Sequence, residues 1–306
     1  MLRRIALFLL INVLVVFTIS CILNIFHLQP FLTAYGLNYQ SLMIFCLIWG
    51  MVGALISLML SRAMAKWMLR VQLIDERTFQ GEYQQLYSMV ERLARAANLP
   101  ATPQVGVFES DLPNAFATGP TKRRSLVAVS TGLLKKMSPS QLEAIIGHEI
   151  SHIANGDMVT MTLLQGVVNA FVMFLARILA FALSGLGRNQ KEGSSSHGSY
   201  LSYSLFVFLF EVVFMIFGSM VIAYYSRRRE FRADHGGAKL SSKGRMISAL
   251  QQLEQEHIRM KEALKTPALQ AFMINTPKKT NLLFLFASHP PIEKRIQRLQ
   301  ESQELV

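Results

Sequence analysis

The chain has 306 residues, room for one or two ordinary domains, and 51% of them are hydrophobic against 16% charged. Its apolar residues gather in long runs, which argues against a simple soluble globule. A formal net charge of +12 would suit a nucleic-acid partner, but the basic residues sit beside the apolar runs and form no patch of their own, so nucleic acid is set aside.

Four runs are long enough for a helix to cross a bilayer, which takes roughly 20 apolar residues. They cover about 5–26, 41–60, 158–185 and 201–225. The first is too long for a signal-peptide core and lacks a small-residue cleavage site, so it is expected to be a retained anchor. Arg3 and Arg4 precede it, Arg62, Lys66 and Arg70 follow the second run, and Arg227, Arg228, Arg229 and Arg232 follow the fourth. The loop 27–40 has neither Lys nor Arg. Because cytoplasmic flanks carry the positive excess, both termini and the stretches 61–157 and 226–306 are expected in the cytoplasm, and the bilayer itself is an expected partner. The expected organisation is two spans in 1–60, a first cytoplasmic part in 61–157, two further spans in 158–225, and a second cytoplasmic part in 226–306. Arg177 and Glu211 lie inside the third and fourth runs at broadly similar depths, where charges need partners, so they are expected to pair. Cys21 and Cys46 both fall in spans and form no metal motif.

Between the spans, Leu86, Met89, Val90, Leu93 and Ala97 recur at helical spacing, predicting an amphipathic helix over 75–98. Short strands are expected at Val105–Phe108, Ala115–Thr118 and Leu126–Ser130, with turn chemistry at Asp111–Asn114. Ser138, Pro139 and Gln141 read as N-cap, first helical residue and capping-box partner. The helix they open runs to about Asn155-Gly156. A polar loop is expected at 185–199, outside the cytoplasm, and a last helix after Pro290-Pro291.

The capped helix carries His148-Glu149-Ile150-Ser151-His152. Residues four apart share a helix face, so both imidazoles can meet one metal ion, while Glu149 sits a third of a turn round, placed to take a proton from water at the metal. Catalytic zinc wants three protein ligands and an open position. Glu230 and Asp234 supply a second i, i+4 pair, of which one carboxylate can ligate and the other can hold a ligand histidine from behind. Glu230 is taken as the third ligand and Asp234 as the outer carboxylate, with one Zn2+ per chain.

Several stretches resemble the HtpX-type heat-shock membrane proteases, related to the CAAX prenyl proteases and the gluzincin zinc peptidases. They are Pro113–Gly119, Ser130–Gly132 with Met137-Ser138-Pro139, His148–Asp157, Ser226–Asp234 and Ser288–Pro291. The resemblance implies a mainly α membrane protein: four transmembrane helices and a cytoplasmic α+β, gluzincin-like domain built on the HExxH helix and a small sheet. It implies zinc on His148, His152 and Glu230, a cytoplasm-facing site in a bacterial inner membrane, and cleavage of damaged or unfolded membrane proteins in stress-response quality control. It also implies that Asn114, Ala115, Phe116 and Ala117 form an edge strand beside the zinc helix, where an extended substrate can add as a further strand. His289 is expected near the metal as oxyanion stabiliser or latch, or remains an ordinary loop histidine; His235 is a decoy. A non-catalytic membrane scaffold or transporter with a structural zinc is the competing reading, with His289 as its fourth ligand. An intramembrane protease is disfavoured, because Glu143, Asn155 and Asp157 flank the motif and apolar sequence begins only afterwards.

Overall fold

The computed structural model describes residues 32–33, 36–75, 81–186, 196–263 and 285–302. Among these, three helices are long and apolar enough to cross a membrane: Tyr39–Met68, Asp157–Ser184 and Ser202–Leu240. The expected span at 5–26, with Cys21, lies outside the described residues. In chain order the elements are β1 (Leu32–Thr33), β2 (Gly36–Leu37), α1 (Tyr39–Met68), β3 (Gln72–Ile74), α2 (Glu82–Ala96), β4 (Gln104–Phe108), β5 (Ala115–Thr118) and β6 (Leu126–Ser130). Then follow α3 (Thr131–Lys136), α4 (Pro139–Asn155), α5 (Asp157–Leu186), α6 (Ser196–Leu240), α7 (Lys243–Ala263) and α8 (Ile292–Glu301). The chain divides into two compact units: Met1–Ile56, Met161–Tyr224 and Leu285–Ala287 make one, and Ser57–Thr160, Tyr225–Phe284 and Ser288–Val306 the other.

The apolar unit is built on α1, α5 and α6. Leu42, Phe45 and Cys46 of α1 bury against Met173 of α5. A Cβ on Gly50 would stand only 2.6 Å from the carbonyl oxygen of Gly166, so the two backbones touch where a side chain would hold them apart. Met43, Leu47, Phe171, Leu205 and Phe217 are exposed, as a lipid-facing surface requires. The pairing of Arg177 with Glu211 is present: Nη1 donates to Oε1 at 2.7 Å and to the Met173 carbonyl at 3.1 Å, both side chains being buried. Removing one partner of such a pair strands the other charge. Arg177→Ala or Glu211→Ala alone should therefore lower stability by about 3–5 kcal/mol, and replacing both by Met should cost much less. Thermal melting of the detergent-solubilised variants checks this; single variants melting like the wild type would refute it.

The second unit carries a four-stranded sheet in the order β3-β4-β6-β5. β4 and β6 are parallel, with Val105 opposite Val127, while β3 and β5 run antiparallel on the two edges. β6, Leu126-Val127-Ala128-Val129-Ser130, is buried along its whole length, as an inner strand with both faces covered must be. Val105, Val107, Val127 and Val129 meet Leu86, Val90 and Leu93 of α2 and Ile146, Ile150 and Ile153 of α4, with Met246, Leu250 and Leu299 closing the core.

Two expected elements shift. The helix expected from residue 75 starts at Glu82, behind Gly81, and the chain before it forms β3, an edge strand too short to show a period. The polar loop expected over 185–199 narrows, since α5 reaches Leu186 and α6 begins at Ser196. α6 does not stop where its apolar run ends. With no proline or glycine between Ser219 and His235 the helix continues to Leu240, and Glu230 and Asp234 lie on its charged end.

Candidate metal centre

The site lies wholly in the second unit and begins with the start and stop of α4. The Ser138 side chain accepts from the Gln141 backbone N–H, and the Gln141 side chain accepts from the Ser138 N–H, the full capping box. At the other end Gly156 takes φ 70°, the left-handed conformation that lets a helix finish, and Asp157 opens α5 at once. His148 and His152 are buried on α4. Facing them on α6 is Glu230, fully buried.

Two glycines let the helices come this close. A Cβ on Gly237 would lie 2.9 Å from the His148 backbone nitrogen, and one on Gly236 would collide with the Ser151 hydroxyl. Any larger residue at either position would push α6 away from α4 and lift Glu230 off the histidines.

The donor atoms make a small triangle. His148 Nε2 and His152 Nε2 are 3.1 Å apart, and Glu230 stands 3.6 Å from the first through Oε2 and 3.4 Å from the second through Oε1. Four ligands arranged tetrahedrally at about 2.0–2.1 Å would be separated by about 3.3 Å, so the triangle fits one face of such a site. Behind each imidazole is a carboxylate. His148 Nδ1 lies 3.0 Å from Asp234 Oδ1, and His152 Nδ1 lies 2.6 Å from Asp157 Oδ2. Donation of each Nδ1–H to its carboxylate leaves both Nε2 atoms as acceptors aimed at the same point as Glu230. Glu230 Oε1 is itself buried without a hydrogen-bond donor. An all-acceptor pocket of this kind is complete only around a cation, and its two-nitrogen, one-carboxylate donor set suits a first-row divalent ion.

Without a cation, the same carboxylates favour protonated imidazoles, and a bound metal takes the place of that proton. Burial pulls the His148 imidazole down, but Asp234 and Glu230 outweigh it and hold it up at about 9. His152 is raised as well, burial again being outweighed, here by Asp157 and Glu230. Burial pushes the Glu230 carboxyl up, yet contacts with His148, His152 and His289 hold it below the usual carboxylate range.

The remaining expected residues fall as follows. Glu149 is half-buried, one residue from His148, and makes no hydrogen bond or ion pair among the described residues. Asp234 faces His148 from behind, with both its oxygens gripped by Arg295 of α8. His289 is brought to the site, but onto Glu230: its Nδ1 is 2.7 Å from Oε2, with most of the ring exposed. His235 lies outside the donor triangle. Ala115, Phe116 and Ala117 lie on β5 at the sheet edge, with α4 alongside. Asn114 precedes the strand; its backbone N–H and carbonyl are both tied to Ser130, so the open edge starts at Ala115. Two site residues escaped the sequence reading. Asp157 had a usable signal, an acid at the first turn after the HExxH helix. Arg295 had none, since nothing in the last helix marks that arginine out from its neighbours.

A family model, Peptidase family M48, matches residues 81–303. A protease HtpX homolog of Methylacidiphilum infernorum is 45% identical over 305 residues, covering 98% of this chain and 99% of that protein. A protease HtpX homolog of Bacillus subtilis and the protease HtpX of Chromohalobacter salexigens are each 44% identical over 98% of this chain, covering 99% and 98% of their own lengths. Among solved structures, the crystal structure of S. mikatae Ste24p shares the fold, with a TM-score of 0.61 at 18% identity; the match covers 93% of this chain and 62% of that one. With a family match across the whole second unit's chemistry and full-length relatives at this identity, the chain belongs to peptidase family M48, in its HtpX group, and is a metalloprotease.

Proposed function

We propose that this protein is a zinc endopeptidase of the bacterial inner membrane that cleaves unfolded or damaged membrane proteins from the cytoplasmic side as part of a stress response. The observation that carries the proposal is the buried acceptor triangle of His148, His152 and Glu230, with the half-buried carboxylate of Glu149 one residue from the first ligand. When bound there, Zn2+ supplies Lewis acidity toward a carbonyl oxygen and makes water a stronger acid. Glu149 removes a proton from the attacking water and passes it to the departing amine. Asp234 and Asp157 hold the two imidazoles in the ligating tautomer. The β5 edge from Ala115 to Ala117 binds an extended chain through backbone hydrogen bonds, which suits substrates with no common sequence. His289, hydrogen-bonded to Glu230, steadies the carboxylate ligand and serves as oxyanion stabiliser or latch. The cytoplasmic orientation rests on the charge bias around the apolar runs, with Arg62, Lys66 and Arg70 after α1 and four arginines in 227–232.

Cleavage of unfolded casein by the detergent-purified protein, with bound zinc counted before and after chelation, tests the reading. Activity that disappears with the metal and returns on adding Zn2+ supports it; a chain that holds zinc in stoichiometric amount yet never cleaves would defeat it.

Metal uptake should also depend on pH. Below about 9 the metal-free His148 carries a proton that a metal must displace. Apparent Zn2+ affinity should therefore rise through neutral pH and level off near that value, with proton release seen by calorimetry in buffers of different ionisation enthalpy. The sign for stability is opposite. The raised His148 contributes stability that is fully present below its ordinary value of 6.5 and lost as pH rises through about 9, so the metal-free protein should melt lower across that window. Affinity independent of pH between 6 and 9 would contradict both statements.

A further inference from the structure

Each metal-facing histidine has a carboxylate behind it, but the two carboxylates are held in different ways. Asp157 is the first residue of α5, joined to α4 through Gly156 alone, so a short stretch of backbone places it five residues from His152. Arg232 reaches its other oxygen only at 3.5 Å and is mostly exposed. Asp234 is on a different helix from His148, and its carboxylate is positioned by a side chain. Arg295 Nε donates to Oδ2 at 2.7 Å and Nη2 donates to Oδ1, the same oxygen that faces His148 Nδ1. The guanidinium is buried, and Nη2 lies 3.5 Å from that imidazole nitrogen.

A two-toothed contact of this kind fixes the plane of a carboxylate as well as its position. Fixing the plane fixes the lone pair that accepts the Nδ1–H, and so the rotation of the imidazole and the direction of Nε2. The helix that bears Arg295 has separate anchors: Leu299 in the core, Arg298 over the Phe231 ring, and Lys243 bonded to the carbonyls of Gln300 and Ser302. α8 is therefore docked without Arg295, and the buried arginine has another use.

We propose that Arg295 is a positioning residue of the metal centre, which aligns His148 by gripping both oxygens of Asp234, and that α8 is through it a working part of metal binding. The inference rests on the reading of His148, His152 and Glu230 as ligands.

The test is Zn2+ affinity of the full-length, detergent-purified chain, measured by competition with a chromophoric chelator, for wild type, Arg295→Gln, Arg295→Lys and Lys243→Met. Loss of a partner behind a ligand histidine typically costs 10- to 100-fold, so Arg295→Gln should fall in that range. Arg295→Lys keeps the charge but offers a point donor, and should lose about tenfold. Lys243→Met loosens the end of α8 without touching Asp234 and should stay within twofold of wild type. A lysine variant with wild-type affinity overturns the proposal, whatever the glutamine variant does. So does a Lys243→Met variant as weak as Arg295→Gln, since helix docking would then be the cause. A wild-type chain that takes up no Zn2+ would overturn the ligand assignment and this inference together, which separates the two failures.

Discussion

Glu149→Gln is expected to keep its metal and lose proteolysis by on the order of 1000-fold or more. General-base assistance is worth roughly 100- to 10,000-fold, and here the same carboxylate both accepts the water's proton and delivers it to the amine. The change is nearly isosteric and falls on a half-buried side chain with no hydrogen bond to lose among the described residues. Neither the triangle of donors nor the capped helix beneath it should move. Glu149→Asp should be impaired as well, by less, because withdrawing the carboxylate by one methylene misaligns it without removing its basicity. Casein cleavage and zinc content measured on one preparation decide the matter. A glutamine variant within tenfold of wild-type turnover would mean that some other group carries the proton.

Glu230→Ala is expected to do the opposite and lose the metal first. A four-ligand zinc site is worth about 10–16 kcal/mol, so one ligand contributes roughly 3 kcal/mol, on the order of a 100-fold loss in affinity. Glu230 is fully buried, lies within 3.6 Å of both Nε2 atoms, and is the sole carboxylate among the described residues in the triangle. The deletion also leaves His289 without its partner. Cleavage should fall with metal content and be partly restored at high Zn2+, a recovery that Glu149→Gln cannot show. Wild-type zinc affinity in Glu230→Ala would remove the carboxylate from the ligand set.

What could be read from the sequence was whatever the chain writes locally. Ser138 to Gln141 announces a helix start within four residues, His148 to His152 announces two ligands on one face, and Glu230 to Asp234 announces a second helical face of acids. The inner strands are continuous apolar runs, and all three described membrane-length helices are visible as composition. What remained hidden depends on contact between distant segments. Gly236 and Gly237 matter because α4 passes over them, which no local pattern reveals. β3 is three residues long and is a strand only because β4 lies beside it. Arg295 meets Asp234 across 61 residues and His148 across 147, so its role exists only in the folded chain. His289 was expected near the metal, yet its hydrogen bond to Glu230 could not be told apart from the alternatives until the loop was placed.

The order of the site's parts along the chain has a consequence for biosynthesis. A ribosome delivers His148 and His152 first, then α5 and most of α6, and only then Glu230, 78 residues after His152. His289 and Arg295 emerge last, near the C-terminus. A nascent chain that stops short of Glu230 holds a two-histidine half-site and no third ligand. The three-ligand set is thus complete only after α5 and the apolar part of α6 have been synthesised.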